Sequence, residues 1–135
     1  MQHAHIIFAD DDAFYRRRIE DFMSGHGISC TIVDSGVDLI KAIIAHPGKY
    51  ACVFADVHMD AMSGIEAASL VRSRFNDLPI VIMTGDDSLE TEIQARCVGI
   101  TYYLKKPFGE KELMGVIANI IPGAVDGDYA ENTYC

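Results

Sequence analysis

Short apolar runs alternate along the chain with segments whose apolar residues recur at helical spacing. The first run, His5–Ala9, predicts a strand. Tyr15, Ile19, Phe22 and Met23 then predict a helix opening at Asp12 or Ala13, with Arg16, Arg17, Glu20 and Asp21 on its wet side. Gly25 and Gly27 end it, because glycine takes left-handed backbone freely. Ile28–Val33, rich in β-branched residues, predicts a second strand. Asp34 or Ser35 caps a helix with Val37, Ile40, Ile43 and Ile44 facing inward, closed by Pro47-Gly48. A third strand is expected at Ala51–Ala55 and a third helix through Ala67, Leu70 and Val71, ending near Phe75. A fourth strand follows at Pro79–Met83, and then a helix striped by Leu89, Ile93 and Cys97 and stopped at Gly99. A fifth strand, Ile100–Leu104, leads to a helix striped by Leu113, Val116, Ile117 and Ile120 and terminated by Pro122-Gly123.

Five strands and five helices in strict alternation imply an α/β fold, a doubly wound five-stranded parallel sheet with helices on both sides. The third and fourth strands are apolar throughout, as strands buried on both faces are. No repeat, low-complexity stretch or linker precedes residue 121. The folded domain is therefore expected over residues 1–121, with 122–135 a polar, mobile tail.

Charge narrows the function. The net charge of −9 opposes nucleic-acid binding, which calls for a basic face, and suits a site that attracts cations. No apolar run is long enough to span a membrane, and the N-terminus lacks the pattern of a secretory signal. Cys30, Cys52, Cys97 and Cys135 form no CxxC pair. Three buried free thiols and one near the chain end are expected, in a reducing, cytoplasmic compartment.

In an open parallel sheet, ligands bind outside the carboxyl ends of the strands. Asp10 and Asp11 follow the first strand, Asp56 the third, Thr84 and Gly85 the fourth, and Lys106 and Pro107 the fifth. Taken singly, each has an ordinary role: helix cap, turn residue or surface charge. Taken together, they put three acids, a hydroxyl and an ammonium on one rim. Unit charges about 4 Å apart repel by ~1 kcal/mol in water and ~4 kcal/mol at an effective dielectric near 20, so the acids call for a cation. Mg²⁺ fits, since it takes oxygen ligands from one or two carboxylates plus phosphate oxygens. Asp12 is expected to point away and help start the helix. Asp34 and Ser35 read as capping residues.

The motifs IIFADDD, VFADVHMDAMSGIEA, VIMTGDD and YYLKKPF, in this order and spacing, resemble a response-regulator receiver domain of two-component signalling, of the CheY-like single-domain type. The resemblance covers roughly Ala4 to Ile121 and implies the strand order 2-1-3-4-5. It implies that Asp56 is the phosphoacceptor, served by a sensor histidine kinase or histidine phosphotransfer protein. Asp10, Asp11, Asp56 and the backbone carbonyl of His58 would hold Mg²⁺, with Asp11 the more direct of the acidic pair. Thr84 would hydrogen-bond the phosphoryl group, Lys106 would pair with a phosphoryl oxygen, and Pro107 stands where the family often has a cis bond. Tyr103 falls at the aromatic switch position, to turn inward once Thr84 is drawn to the phosphoryl group. Asp56 is expected to be ionised at pH 7, because an aspartate pKa is about 3.9 and Mg²⁺ and Lys106 both favour the carboxylate.

The expected protein catalyses only its own phosphorylation and dephosphorylation and signals to a downstream effector protein. The resemblance also offers a homodimer through the face of the fourth helix, fifth strand and fifth helix. This chain departs from the family at Asp60, where proline is usual, and carries His58 and Asp86 at variable positions flanking the site. Three readings compete. A Mg²⁺-dependent aspartyl phosphatase would want a second acid where His58 stands. A flavin carrier would want a hydroxyl- and glycine-rich phosphate loop in place of three aspartates. A docking-only receiver would have no use for the acceptor set.

Overall fold

Ten elements alternate through residues 4–126, the residues described by the computed structural model. They are β1 (His5–Ala9), α1 (Ala13–Gly25), β2 (Ser29–Val33), α2 (Gly36–Ala45), β3 (Cys52–Asp56), α3 (Gly64–Arg74), β4 (Ile80–Thr84), α4 (Leu89–Val98), β5 (Tyr102–Lys105) and α5 (Glu110–Ile120). The strands form one parallel sheet in the order β2-β1-β3-β4-β5. Each predicted strand is found, displaced by no more than a residue or two at its ends. Asp56 and Thr84 close their strands instead of following them.

Side-chain alternation divides the core in two. Ile6 and Phe8 of β1 face α1 and α5, where Phe8 stacks on Phe54 with ring centroids 4.7 Å apart. Ile7 and Ala9 face the opposite way, into a second cluster with Leu39, Val53, Val71 and Ile80. Every residue of β3 and β4 is buried, the apolar runs on both faces of the sheet and also the polar Asp56 and Thr84 that close them.

Three predicted helix stripes turn out differently. In α2, Leu39 and Ile43 form the inner seam, while Val37 and Ile44 are exposed. The helix has so many apolar residues that spacing alone does not single out one seam. In α3, Ala67, Ala68 and Val71 face the sheet and Leu70 is exposed, because the small alanines let the helix sit close. In α4, Leu89 and Ile93 are 71% and 52% exposed and Cys97 is exposed, while Ala95 faces inward. The spacing found one face of α4, but the outer one.

The thiols also differ from expectation. Cys52 is buried, Cys30 half-buried and Cys97 exposed, while Cys135 lies outside the described residues. At the C-terminal end, Val125 is buried on the cluster against α1 and α5, with Ala124 beside it. The packed region thus extends beyond residue 121. The rest of the segment expected as a tail, 127–135, lies outside the described residues.

Ser63 and Glu66 form a reciprocal capping box that starts α3 beside the end of β3. The start is close because residue 64 is glycine. A β-carbon there would sit 2.7 Å from the Asp56 carbonyl carbon and closer still to its oxygen. Backbone on a central strand cannot step aside without moving Asp56. Gly64→Ala is therefore expected to cost roughly 1–3 kcal/mol, as overpacking does. Urea unfolding should show a lower midpoint at unchanged slope, and a native midpoint would show that α3 can shift freely.

Candidate functional site

The carboxyl ends of β1, β3, β4 and β5 share one edge of the sheet, so their terminal residues meet. Asp10 follows β1 and is fully buried. Asp10 Oδ1 accepts the Asp12 N–H at 2.9 Å, and its Oδ2 accepts from Lys106 Nζ at 2.7 Å. Lys106 Nζ also donates to Asp56 Oδ2 at 3.1 Å. One ammonium thus bridges two acids that stand 46 positions apart in the chain. Asp12 behaves as expected: it is exposed and caps α1, accepting the Phe14 N–H at 2.9 Å.

Asp11 is exposed, yet one oxygen from each of Asp10, Asp11 and Asp56 falls within 4.8 Å of the others. Three hard oxygen donors at that spacing fit a Mg²⁺-type cation and would poorly suit a soft metal. His58 stands two residues beyond Asp56, and its N–H makes a long contact of 3.4 Å to Asp56 Oδ1. Its imidazole reaches across the mouth to Asp86 Oδ2 at 3.3 Å. Asp86 also accepts the Ser88 N–H and the Thr91 hydroxyl, which hold its pKa down at about 2.

Thr84 is fully buried at the end of β4, one residue beyond Met83, the partner of Asp56 in the sheet. Its Oγ1 accepts the Asp86 N–H at 2.9 Å, and its carbonyl accepts the Lys106 N–H at 2.7 Å. The backbone thus ties Lys106 to Thr84 before any side chain is considered. Lys106-Pro107 is a cis peptide.

Tyr103 pairs with Ile82 in the sheet and is buried. Among the described residues, its hydroxyl is the buried side-chain group without a well-formed hydrogen bond. Burial and the nearby Glu92 and Asp86 carboxylates raise its pKa, while Thr84 is near enough to oppose the shift.

Two neighbours of the site were read only as parts of an amphipathic helix. Arg16, assigned to the wet side of α1, is half-buried and donates to the Asp10 carbonyl at 2.9 Å. Tyr15, assigned to the apolar stripe, carries Lys106 Nζ 4.1 Å from its ring centroid. The signal for Arg16 was its distance of one to two turns from Asp10. For Tyr15 no sequence signal separates core from site.

Without metal, Asp56 ionises later than a free aspartate, though still below pH 7. Burial and then the Asp10 charge raise the Asp56 pKa from 3.8 to about 6, and Lys106 only partly offsets them. For Lys106, burial disfavours the ammonium, but Asp10 and Asp56 outweigh it and leave the pKa above the ordinary lysine value. The lysine therefore stays charged while Asp56 is poised to lose a proton just below neutrality.

Residues 6–118 match the family model of the response regulator receiver domain. The chain belongs to that family. It is a receiver domain of two-component response regulators, and the comparisons with individual proteins agree. Over 118 residues it is 30% identical to the transcriptional regulatory protein FixJ of Bradyrhizobium diazoefficiens, covering 87% of this chain and 56% of that protein. It is 29% identical to protein PilG of Pseudomonas aeruginosa over 87% of both chains. Against the DNA-binding transcriptional regulator NtrC of Escherichia coli it spans 25% of the relative's length. The chain thus covers little more than half of FixJ and a quarter of NtrC. In structure, chemotaxis protein CheY4 of Vibrio cholerae superposes with a TM-score of 0.81 at 23% identity, over 89% of this chain and all of that one. A receiver domain from Clostridium thermocellum gives 0.82 at 23% identity, over 87% and 94%. At those identities the likeness establishes the fold. Among the described residues, no helix of this receiver is long and apolar enough to cross a membrane.

The raised Asp56 pKa sets a pH dependence. The unfolded chain releases this proton near 3.8, whereas the metal-free folded receiver holds it until about 6. Across that window the folded state binds more protons, so this group's contribution to stability falls as pH rises. Without metal, the native protein should lose stability relative to Asp56→Asn between about pH 4 and about pH 6. The variant should then be the more stable near neutrality. A native-minus-variant difference that stays flat across the window, in parallel urea melts, would remove the raised pKa.

Proposed function

We propose that this receiver accepts a phosphoryl group on Asp56, drawn from a sensor histidine kinase, a histidine phosphotransfer protein or a small phosphodonor. The observation that carries this reading is the single ammonium of Lys106, held by both Asp10 and Asp56 at the carboxyl edge of the sheet. An ionised Asp56 oxygen attacks phosphorus, the bond from phosphorus to the donor's leaving atom breaks, and its electron pair departs with that atom. Phosphoryl transfer asks mainly for in-line positioning and for charge stabilisation on the equatorial oxygens. Lys106 supplies positive charge and Thr84 a hydroxyl donor. Asp10, Asp11, Asp56 and the His58 carbonyl would hold Mg²⁺, which when bound supplies further neutralisation of the phosphoryl oxygens.

The product is an acyl phosphate, which water can cleave at Asp56, so the mark is temporary. The chain acts as a catalyst only on itself. Thr84, once drawn toward the phosphoryl group by donating its hydroxyl, would move the Asp86 N–H that its oxygen accepts and so shift the β4–α4 loop. Tyr103, buried behind Thr84, would then repack and carry the change to the face of α4, β5 and α5. Exposed Leu89 and Ile93 give α4 the apolar outer surface that contact with a downstream effector protein, or a second copy of the receiver, would use. A cytoplasmic location suits such partners and the free thiols of Cys30, Cys52 and Cys97.

Incubation with Mg²⁺ and acetyl phosphate, followed by intact-mass measurement, tests the reading. The native protein should gain one phosphoryl group, and both Asp56→Asn and a chelator should abolish the gain. Equal labelling of Asp56→Asn would move the acceptor elsewhere. Failure of the native protein to gain mass with any donor or kinase would leave a receiver that works by docking alone.

A further inference from the structure

We propose that Tyr15 is a positioning residue for Lys106, its aromatic face serving as a third partner for the ammonium. This rests on the role proposed above for Lys106. The lysine side chain is 10% exposed, and its Nζ lies 2.7 Å from Asp10 Oδ2, 3.1 Å from Asp56 Oδ2 and 4.1 Å from the centre of the Tyr15 ring. A cation over a ring face is drawn to the negative side of the ring quadrupole, and the attraction grows when water is excluded.

The ring is held in place from two sides. Phe108, itself buried and two residues beyond Lys106, packs on it with centroids 5.6 Å apart. Phe14 meets it edge-on at 5.5 Å. Tyr15 belongs to the first turn of α1, the helix that Asp12 caps, so the acidic run after β1 also fixes where this ring stands. Packing against the core accounts for part of the ring and leaves the face turned to the ammonium.

The three partners are not equivalent. Asp10 and Asp56 are the same groups placed to share a divalent cation, and once Asp56 is phosphorylated its charge moves from the carboxylate to the phosphoryl oxygens. The face of Tyr15 offers no oxygen to a hard cation and does not change on phosphorylation. It can keep hold of the ammonium while both carboxylates are otherwise engaged. A lysine head on a flexible four-carbon stem gains orientation from such a contact. The hydroxyl has no part in this, so phenylalanine should serve as well.

The test compares Tyr15→Phe and Tyr15→Leu with the native protein by two readouts. The first is the rate constant for mass gain from acetyl phosphate at saturating Mg²⁺. Tyr15→Phe should match the native rate, and Tyr15→Leu should be slower by about threefold to tenfold at an unchanged Mg²⁺ requirement. The second, independent of activity, is NMR of the Lys106 side chain without metal or donor. Its Cε protons should be shifted upfield by the ring in the native protein and in Tyr15→Phe, and return to ordinary lysine values in Tyr15→Leu. Unshifted Cε protons in the native protein overturn the proposal even if every variant misfolds. So does a native rate in Tyr15→Leu, or an equal slowing in Tyr15→Phe. Upfield-shifted protons with no mass gain in the native protein would instead count against the phosphoacceptor reading and leave the ring contact standing.

Discussion

Buried carboxylates short of counter-charge are among the costliest groups a small domain can hold, and here two share one ammonium. Asp10 is fully buried just after β1, and Asp56 is 6% exposed at the end of the neighbouring β3. Among the described residues Lys106 bridges them, one ammonium against two carboxylates, in keeping with the raised Asp56 pKa. Breaking such a buried pair by removing a partner typically costs about 3–5 kcal/mol, because the remaining charge stays desolvated. The hollow is therefore short of positive charge by construction. A cation at the three acids, and a proton on Asp56 at lower pH, are two ways of meeting the same deficit.

Most of the fold serves to hold that deficit in place. Parallel strands bring four chain segments to one edge, and the two apolar clusters fix the register that sets Asp56 beside Met83 and just ahead of Thr84. The Thr84 carbonyl takes the Lys106 N–H, so the lysine's backbone is anchored to the strand next to Asp56. Gly64 lets α3 begin against the Asp56 backbone. Ala61, in the loop between them, takes a left-handed φ of 68°, a strained conformation for a residue with a β-carbon. The loop where this family usually carries proline is thus bent at alanine, immediately after Asp60.

The sheet and its connections were legible because they rest on features local to the sequence: apolar runs, glycine stops and capping residues such as Asp12, Ser35 and Ser63. The clustering of Asp10, Asp56, Thr84 and Lys106 was legible because β1, β3, β4 and β5 each lead to a chemically distinctive residue at one sheet edge. Inward and outward were harder to read. Leu89, Ile93 and Cys97 have faultless helical spacing, yet a period identifies a face and not the side on which the sheet lies. Tyr15 and Arg16 were missed as neighbours of the site because an amphipathic helix explains both without it. The rise in the Asp56 pKa was not legible, because the sequence displays the lysine and the acids but not the burial that outweighs the lysine. Val125 was lost in a polar segment that, by composition alone, has no reason to pack.

The central claim is that the hollow lacks positive charge and that Lys106 supplies part of it. The most direct measurement is the thermal midpoint of the native protein and of Lys106→Met at neutral pH, each with a chelator and with Mg²⁺. With the chelator, Lys106→Met should melt well below the native protein, and added Mg²⁺ should raise the variant's midpoint by more than it raises the native one. Indifference of both proteins to Mg²⁺, or a variant as stable as the native protein in chelator, would contradict the account.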